Sequence, residues 1–147
     1  MIAFQSENIA FPNIKRNETK RWIKKIASEY GKKVGDIHYI FCNDERILEI
    51  NNQYLAHDYY TDIITFDYSE KEVISGDMFI SLDTVRSNSE KFGTEYDEEL
   101  YRVIIHGVLH LCGVEDTSDE GAKKMREEED FAIAFLREAS ILPNNQV

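Results

Sequence analysis

Apolar and polar positions divide the chain into four predicted strands and five predicted helices. Runs rich in β-branched and aromatic residues predict strands at 2–4, 36–42, 62–68 and 73–82, the last interrupted by Gly76. Apolar residues spaced three or four apart predict helices over about 18–31, from 43 or 44 through 55, from 83 to near 93, from 94 to 113, and after 118. Strands and helices do not alternate strictly. The pattern therefore predicts an α+β fold, in which about five helices pack with a small mixed four-stranded sheet.

Polar residues and glycines at the ends of these segments predict where the helices begin and end. We expect Asn17, Asp83 and Ser118 to cap helix N-termini, and Thr94 to open the fourth helix. Gly113 is placed to end that helix, because glycine readily adopts positive φ. The buried side of the last helix is predicted to include Met125, Phe131, Ala132, Phe135 and Leu136.

Length and composition indicate one folded domain over residues 1–147. Apolar residues make up 42% of the 147 residues, enough for a packed core. No apolar run approaches the roughly 20 residues that span a bilayer, and the N-terminus does not read as a signal peptide. Two cysteines are too few for a disulfide framework. We therefore expect a cytoplasmic protein without a membrane partner.

Charge is distributed unevenly along the chain. The net charge is −11, but residues 1–33 carry eight basic side chains against three acidic ones, a net of +5 that leaves −16 for the remainder. The basic segment could contact phosphates locally through Lys20, Arg21, Lys24 and Lys25. The alternative is an ordinary solvated helix face.

The segment HGVLHLCGVED at 106–116 carries the chemistry. His106 and His110 are four residues apart on a helix, so both imidazoles project from one face. A chain reversal at Gly113 would return Asp116 toward them. Two nitrogens and one carboxylate form an open site of the kind that catalytic zinc ions occupy, whereas structural sites have four protein ligands. The alternative is that both histidines are ordinary core residues whose ring nitrogens form hydrogen bonds within the protein. His38 and His57 lack partners at ligand spacing and are expected to have structural or surface roles, with His57 a weaker candidate for the rim of the site.

The same spacing occurs in the metzincin peptidases, which makes this a zincin-like metal helix. Their general base is the Glu that follows the first His. Here that position is Gly107, which cannot move a proton. Peptide hydrolysis by that mechanism is therefore not expected.

With these residues identified, the sequence resembles the YbeY family of bacterial single-strand-specific metallo-endoribonucleases. The family motif reads roughly H-G-x-L-H-L-x-G-Y-D-H, and the segments DYYTDIITF at 58–66 and GDMFIS at 76–81 also resemble family segments. The resemblance covers nearly the whole chain. It implies a zinc-dependent hydrolase with metal ligands His106, His110 and Asp116. Its partners would be single-stranded rRNA and the ribosome, and its roles 16S rRNA 3′-end maturation and ribosome quality control.

Two departures from the family pattern bear on the chemistry. Asp116, preceded by Glu115, stands where the family usually has His; a carboxylate suits zinc and also makes Mn²⁺ or another divalent ion an alternative. Leu55 stands where the family usually has an Arg suited to phosphate. Arg102, one helical turn before His106, is a candidate replacement, with a structural or surface role as the alternative.

The expected reaction is RNA cleavage by a metal-activated water. Because position 107 has no side chain, either the activated water attacks directly or a nearby acid such as Glu115 transfers protons. The RNA 2′-hydroxyl is a second possible nucleophile. Two rival functions remain open: a non-enzymatic ribosome-assembly factor with a structural metal, and a metal-dependent hydrolase of another substrate.

Overall fold

The computed structural model describes residues 1–55, with the side chain of Leu55 excepted, and residues 61–142. In these ranges five helices pack with a four-stranded mixed sheet, which confirms the predicted α+β class. The elements in chain order are β1 (Ile2–Ser6), α1 (Arg16–Glu29), β2 (Lys33–Cys42), α2 (Asp44–Leu55), β3 (Ile63–Asp67), β4 (Val73–Ser81), α3 (Leu82–Phe92), α4 (Tyr96–Leu111) and α5 (Asp119–Glu138).

The sheet has the strand order β1-β2-β4-β3. Strand β2 pairs in parallel with β1 and with β4; helix α1 connects β1 to β2, and α2 and β3 lie between β2 and β4 in the chain. Strand β3 pairs antiparallel with β4, with Ile63 opposite Ile80. Within the described ranges β3 is therefore an edge strand, and the candidate site lies beside it.

The core lies on both faces of the sheet. The larger cluster joins one face to α1, α3, α4 and α5, and a smaller one joins α2 to the other face through Ile47, Ile50 and Ile64. The Tyr39 hydroxyl donates to the Ile104 carbonyl at 2.9 Å, and the Trp22 indole N–H donates to the Ala132 carbonyl at 2.8 Å. These buried bonds fix α4 on the sheet and α5 against α1.

Several predicted helix ends are wrong. The residue before α1 is Lys15, without a side-chain cap, and not Asn17. Ser81 caps α3 by accepting from the Thr84 amide, which places Asp83 in the first turn. α4 starts at Tyr96 after Glu95, two residues later than Thr94 predicts. The strand residue Ser81 doubles as a cap, and nothing in the apolar spacing indicates that.

Helix α5 begins at the predicted cap, but one of the side chains predicted to be buried is exposed. The Ser118 hydroxyl accepts from the Gly121 amide, which confirms the predicted cap. Phe131, predicted to be buried, is 47% exposed, because the buried stripe of α5 runs through Met125, Ala132 and Leu136 instead. No helix in the described ranges is long and apolar enough to cross a membrane.

Candidate metal centre

Helix α4 carries three polar side chains at four-residue intervals in an otherwise apolar segment. Arg102, His106 and His110 are successive turns of one helix face. Just past the helix, Gly113 has a φ of 97°, and the Val114 amide bonds back to the Leu109 carbonyl at 3.0 Å. A residue with a side chain rarely takes this backbone conformation. The predicted reversal at Gly113 is therefore present.

The reversal brings Asp116 to the two imidazoles. The two carboxylate oxygens lie 3.4 Å from His106 Nε2 and 3.5 Å from His110 Nε2. The rings are 4.6 Å apart between centroids, at an interplanar angle of 81°. One ligand atom from each residue lies within 4.8 Å of the other two. The structure thus brings the three predicted ligands together.

The donor set fits a divalent metal ion. Two imidazole nitrogens and a carboxylate oxygen converge on one point, and all three residues line a cavity, which leaves coordination positions for water and substrate. The site is also rich in negative charge, since Asp62 and Asp116 both line the cavity and Glu129 lies behind His106. A cation offsets that charge. His106, His110 and Asp116 could therefore bind a metal.

The second nitrogen of His106 faces helix α5. His106 Nδ1 lies 2.7 Å from Glu129 Oε2, and Glu129 Oε1 accepts from Arg102 Nη1 at 3.1 Å. Burial lowers the pKa of the His106 imidazole, but Glu129, Asp62 and Asp116 together raise it, so the pKa lies above its ordinary value. Burial and the neighbouring His106 ring lower the pKa of His110. The two histidines thus have different electrostatic surroundings.

The cavity beside this centre has a volume of about 590 Å³. Its lining includes residues in and beside β3, among them Thr61, Asp62 and Asp67, the two histidines of α4, and Asn51 of α2. Burial raises the pKa of the Asp62 carboxyl above its ordinary value, although His106 opposes the shift. Asp62 is therefore a half-buried acid that lines the same cavity as the candidate metal ligands.

Gly107 has a packing role that accounts for its lack of a side chain. A Cβ at this position would collide with the sulfur of Met78 on β4 and would press on Ile63 of β3. A larger residue here would force the Met78 side chain to shift, so glycine lets α4 lie this close to the sheet. The position where metzincins carry their general base therefore faces the sheet in this protein.

Comparison with known proteins gives the family. A family model described as endoribonuclease YbeY matches residues 1–137. The chain belongs to the YbeY family. Proteins named endoribonuclease YbeY from Bacteroides thetaiotaomicron and Parabacteroides distasonis are 57% and 60% identical to it, over 91% and 93% of this chain and 98% and 96% of theirs.

A solved structure in the comparison agrees on the fold. The solution structure of TM1509 from Thermotoga maritima is similar over 100% of both chains, with a TM-score of 0.62 and 25% sequence identity. The YbeY family and this neighbour bear out the fold inferred from the sequence; the likeness of α4 to zincin helices remains a prediction.

The two other predicted site residues of this YbeY chain lie away from the cavity. Glu115 is exposed and is not among the residues that line it. Arg102 is buried and engaged with Glu129 and with Asp130, whose Oδ1 lies 2.9 Å from Nη2. His57, the rim candidate, lies outside the described residues, as does the start of the 58–66 segment.

Sequence reasoning missed Asp62 and Glu129. Asp62 immediately precedes β3 and lies in a segment already matched to the family pattern. Glu129 interrupts the buried stripe of α5, four residues after Met125 and three before Ala132. An acidic residue inside an apolar stripe can indicate a buried ion pair. Here Glu129 is one of four consecutive acidic residues at 127–130, so the sequence does not distinguish it from its neighbours.

Proposed function

We propose that this protein is a zinc-dependent endoribonuclease that cleaves single-stranded RNA. The observation that carries the proposal is the convergence of His106, His110 and Asp116 beside an open cavity. Relatives that align over nearly their full length are named endoribonucleases. As the resemblance implies, the substrate would be the 3′ end of 16S rRNA, in maturation and in ribosome quality control, and the protein would act in the cytoplasm.

The cavity requires a cation to accept RNA. Its lining includes the carboxylates of Asp62, Asp67 and Asp116, which would repel a phosphodiester. Zinc bound there would lower the pKa of a water molecule toward neutrality or polarise a phosphoryl oxygen. Asp116 also suits Mn²⁺, which would compete for the site when abundant. The protein's own contribution is to hold three donors on one side and leave the other side to substrate.

Proton transfer is better assigned to Asp62 than to Glu115. Asp62 lines the cavity and is half-buried, and burial raises the pKa of its carboxyl above the ordinary value, as suits a general acid or base. Glu115 follows the helix end and is exposed. We therefore propose Asp62 as the acid or base of the reaction.

Contacts to the RNA backbone are a separate proposal. Arg102 is enclosed by Glu129 and Asp130, so we assign it no phosphate contact. Helix α1 presents Lys20, Arg21, Lys24 and Lys25, of which at least Lys24 is exposed to solvent and unpaired among the described residues. These cations could hold the strand outside the acidic cavity.

Purified protein with its metal content measured, incubated with an unstructured RNA, tests the function. We expect cleavage that a chelator abolishes, that added zinc restores, and that His110→Ala loses while its circular dichroism spectrum stays that of a folded protein. RNA left intact under every divalent metal tried would contradict nuclease activity and favour the non-enzymatic assembly factor. Cleavage that persists in the chelated protein and in His110→Ala would remove the metal centre from the reaction.

A further inference from the structure

The His106 imidazole has a different partner on each ring nitrogen. Nε2 lies 3.4 Å from Asp116, on the side where the three ligand atoms converge. Nδ1 lies 2.7 Å from Glu129 Oε2, on the side of helix α5. A neutral imidazole carries its proton on one nitrogen and a lone pair on the other, and only the lone pair can bind a metal. The partner of Nδ1 therefore decides what Nε2 can do.

Arg102 binds the other carboxylate oxygen of Glu129. Oε1 accepts from Arg102 Nη1 at 3.1 Å, and the side chains of Arg102 and Glu129 are only 9% and 8% exposed. A guanidinium does not lose its proton in proteins and can only donate hydrogen bonds, so Arg102 pairs with Glu129 as a carboxylate that accepts. An ionised carboxylate can only accept hydrogen bonds. Nδ1 of His106 must then carry the proton.

We propose that Glu129 is a positioning residue of the metal centre, which keeps the His106 proton on Nδ1 and the Nε2 lone pair directed at the metal, with Arg102 fixing Glu129 in turn. The short contact at Nδ1 also prevents the ring from rotating about its Cβ–Cγ bond. Outer partners of this kind are a recurrent feature of histidine metal sites and raise the basicity of the ligand. The motif on α4 is therefore incomplete without a residue from α5.

This assignment also accounts for the position of Arg102. It lies on the same face of α4 as the two histidines, one turn before His106, yet it is turned away from the cavity. An ion pair that only joined α4 to α5 would leave the second oxygen of Glu129 free to face water. Instead that oxygen contacts a metal ligand. The pair Arg102–Glu129 thus acts on the metal through His106.

The first test is the tautomer of His106 in the metal-free protein. Long-range ¹H–¹⁵N correlation spectra separate protonated from unprotonated imidazole nitrogens at alkaline pH, where the ring is neutral. We expect the wild-type proton on Nδ1, and a mixture of tautomers in Glu129→Gln, whose amide can donate as well as accept. A wild-type ring with its proton on Nε2 overturns the proposal.

The second test is zinc affinity, measured by competition with a chelating dye. Glu129→Gln should weaken zinc binding by about 10–100-fold, the usual cost of removing such a partner. Glu128→Gln is the matched control: Glu128 is the adjacent acid on α5, it accepts from Tyr30 and pairs with Lys124, and it does not contact His106. We expect wild-type affinity in this control.

The outcomes separate this inference from the function on which it rests. Wild-type protein that binds no zinc contradicts the proposed zinc centre, and the tautomer measurement still decides the role of Glu129. Folded Glu129→Gln with wild-type zinc affinity overturns the positioning role. Should that variant fail to fold, Glu129→Asp retains the charge but is one methylene shorter, and wild-type affinity there would equally overturn it.

Discussion

The candidate metal centre and the basic helix α1 are the two regions that the sequence marks as functional, and they differ in the surroundings of their charges. In the candidate metal centre the charged groups are buried or half-buried, and Glu129 lies between Arg102 and His106. On α1, Arg21 pairs with Glu18 at 3.2 Å and Lys25 with Glu29 at 3.4 Å, all at the surface. The spacing of two histidines and an aspartate identified the first region in the sequence, whereas an excess of basic residues identified the second.

The two regions differ in how strongly water and salt screen the interactions between their charges. Surface ion pairs contribute about 0–1 kcal/mol and are screened by salt, so half of the apparent basic patch on α1 is already offset by its own acids. Buried groups interact through a lower dielectric, and a change at one of them alters its neighbours. Single substitutions should therefore have large effects in the pocket and small effects on α1.

The largest effect is expected from Asp62→Asn. Because the variant keeps its volume but cannot exchange a proton, RNA cleavage should slow by about 10²–10⁴-fold, the usual contribution of a general acid or base. Zinc content should stay at the wild-type level, since Asp62 is not among the three ligands. Glu115→Gln, which changes the exposed residue next to Asp116, should cleave RNA at the wild-type rate. The reverse result, with slow Glu115→Gln and normal Asp62→Asn, would return the proton-transfer role to Glu115.

Effects of intermediate size are expected from replacing the glycines that follow α4 and α1. Gly113 follows α4 with a φ of 97°, and Gly31 follows α1 with a φ of 71°; an added Cβ would meet nothing within 4 Å at either. Gly113→Ala and Gly31→Ala should therefore each cost about 1–3 kcal/mol of unfolding free energy in metal-free protein, from backbone strain alone.

Only Gly113→Ala should also weaken zinc binding, because that reversal delivers Asp116 to the two imidazoles. Thermal denaturation with and without zinc separates the two effects. The stabilisation by zinc should shrink in Gly113→Ala and keep its wild-type size in Gly31→Ala. Equal stabilisation in both variants would mean that Asp116 reaches the metal whatever the backbone conformation at 113.

Sequence reasoning succeeded where one local rule decides the geometry. Histidines four residues apart on a helix share a face, and a glycine at a helix end permits a reversal, so the convergence of His106, His110 and Asp116 followed from short-range spacing. Runs rich in β-branched and aromatic residues likewise predicted all four strands. These features depend on residues that are near one another in the chain.

The features that sequence reasoning missed depend on contacts between distant segments. Glu129 contacts His106 across 23 positions, and whether Arg102 faces phosphate or a carboxylate depends on where α5 packs. The apolar side chain of Phe131 predicts a core position, but it lies off the buried stripe of α5 and is exposed. The surface charges of α1 have the same ambiguity, since the positions of lysines in a sequence do not say which are already paired.

The smallest effect, and the one that tests the basic helix itself, comes from neutralising its cations two at a time. No carboxylate among residues 1–55 and 61–142 lies within ion-pair distance of Lys20 or Lys24, whereas Arg21 and Lys25 have acidic partners. Lys20→Gln with Lys24→Gln should weaken binding to single-stranded RNA and reduce the slope of log affinity against log salt by about 0.7 for each phosphate that is no longer neutralised. Arg21→Gln with Lys25→Gln should change that slope less, because those cations are already offset. Binding measured with a chelator present keeps the strand intact. If neither pair alters the salt dependence, α1 is an ordinary solvated face, and a surface other than α1 binds the RNA.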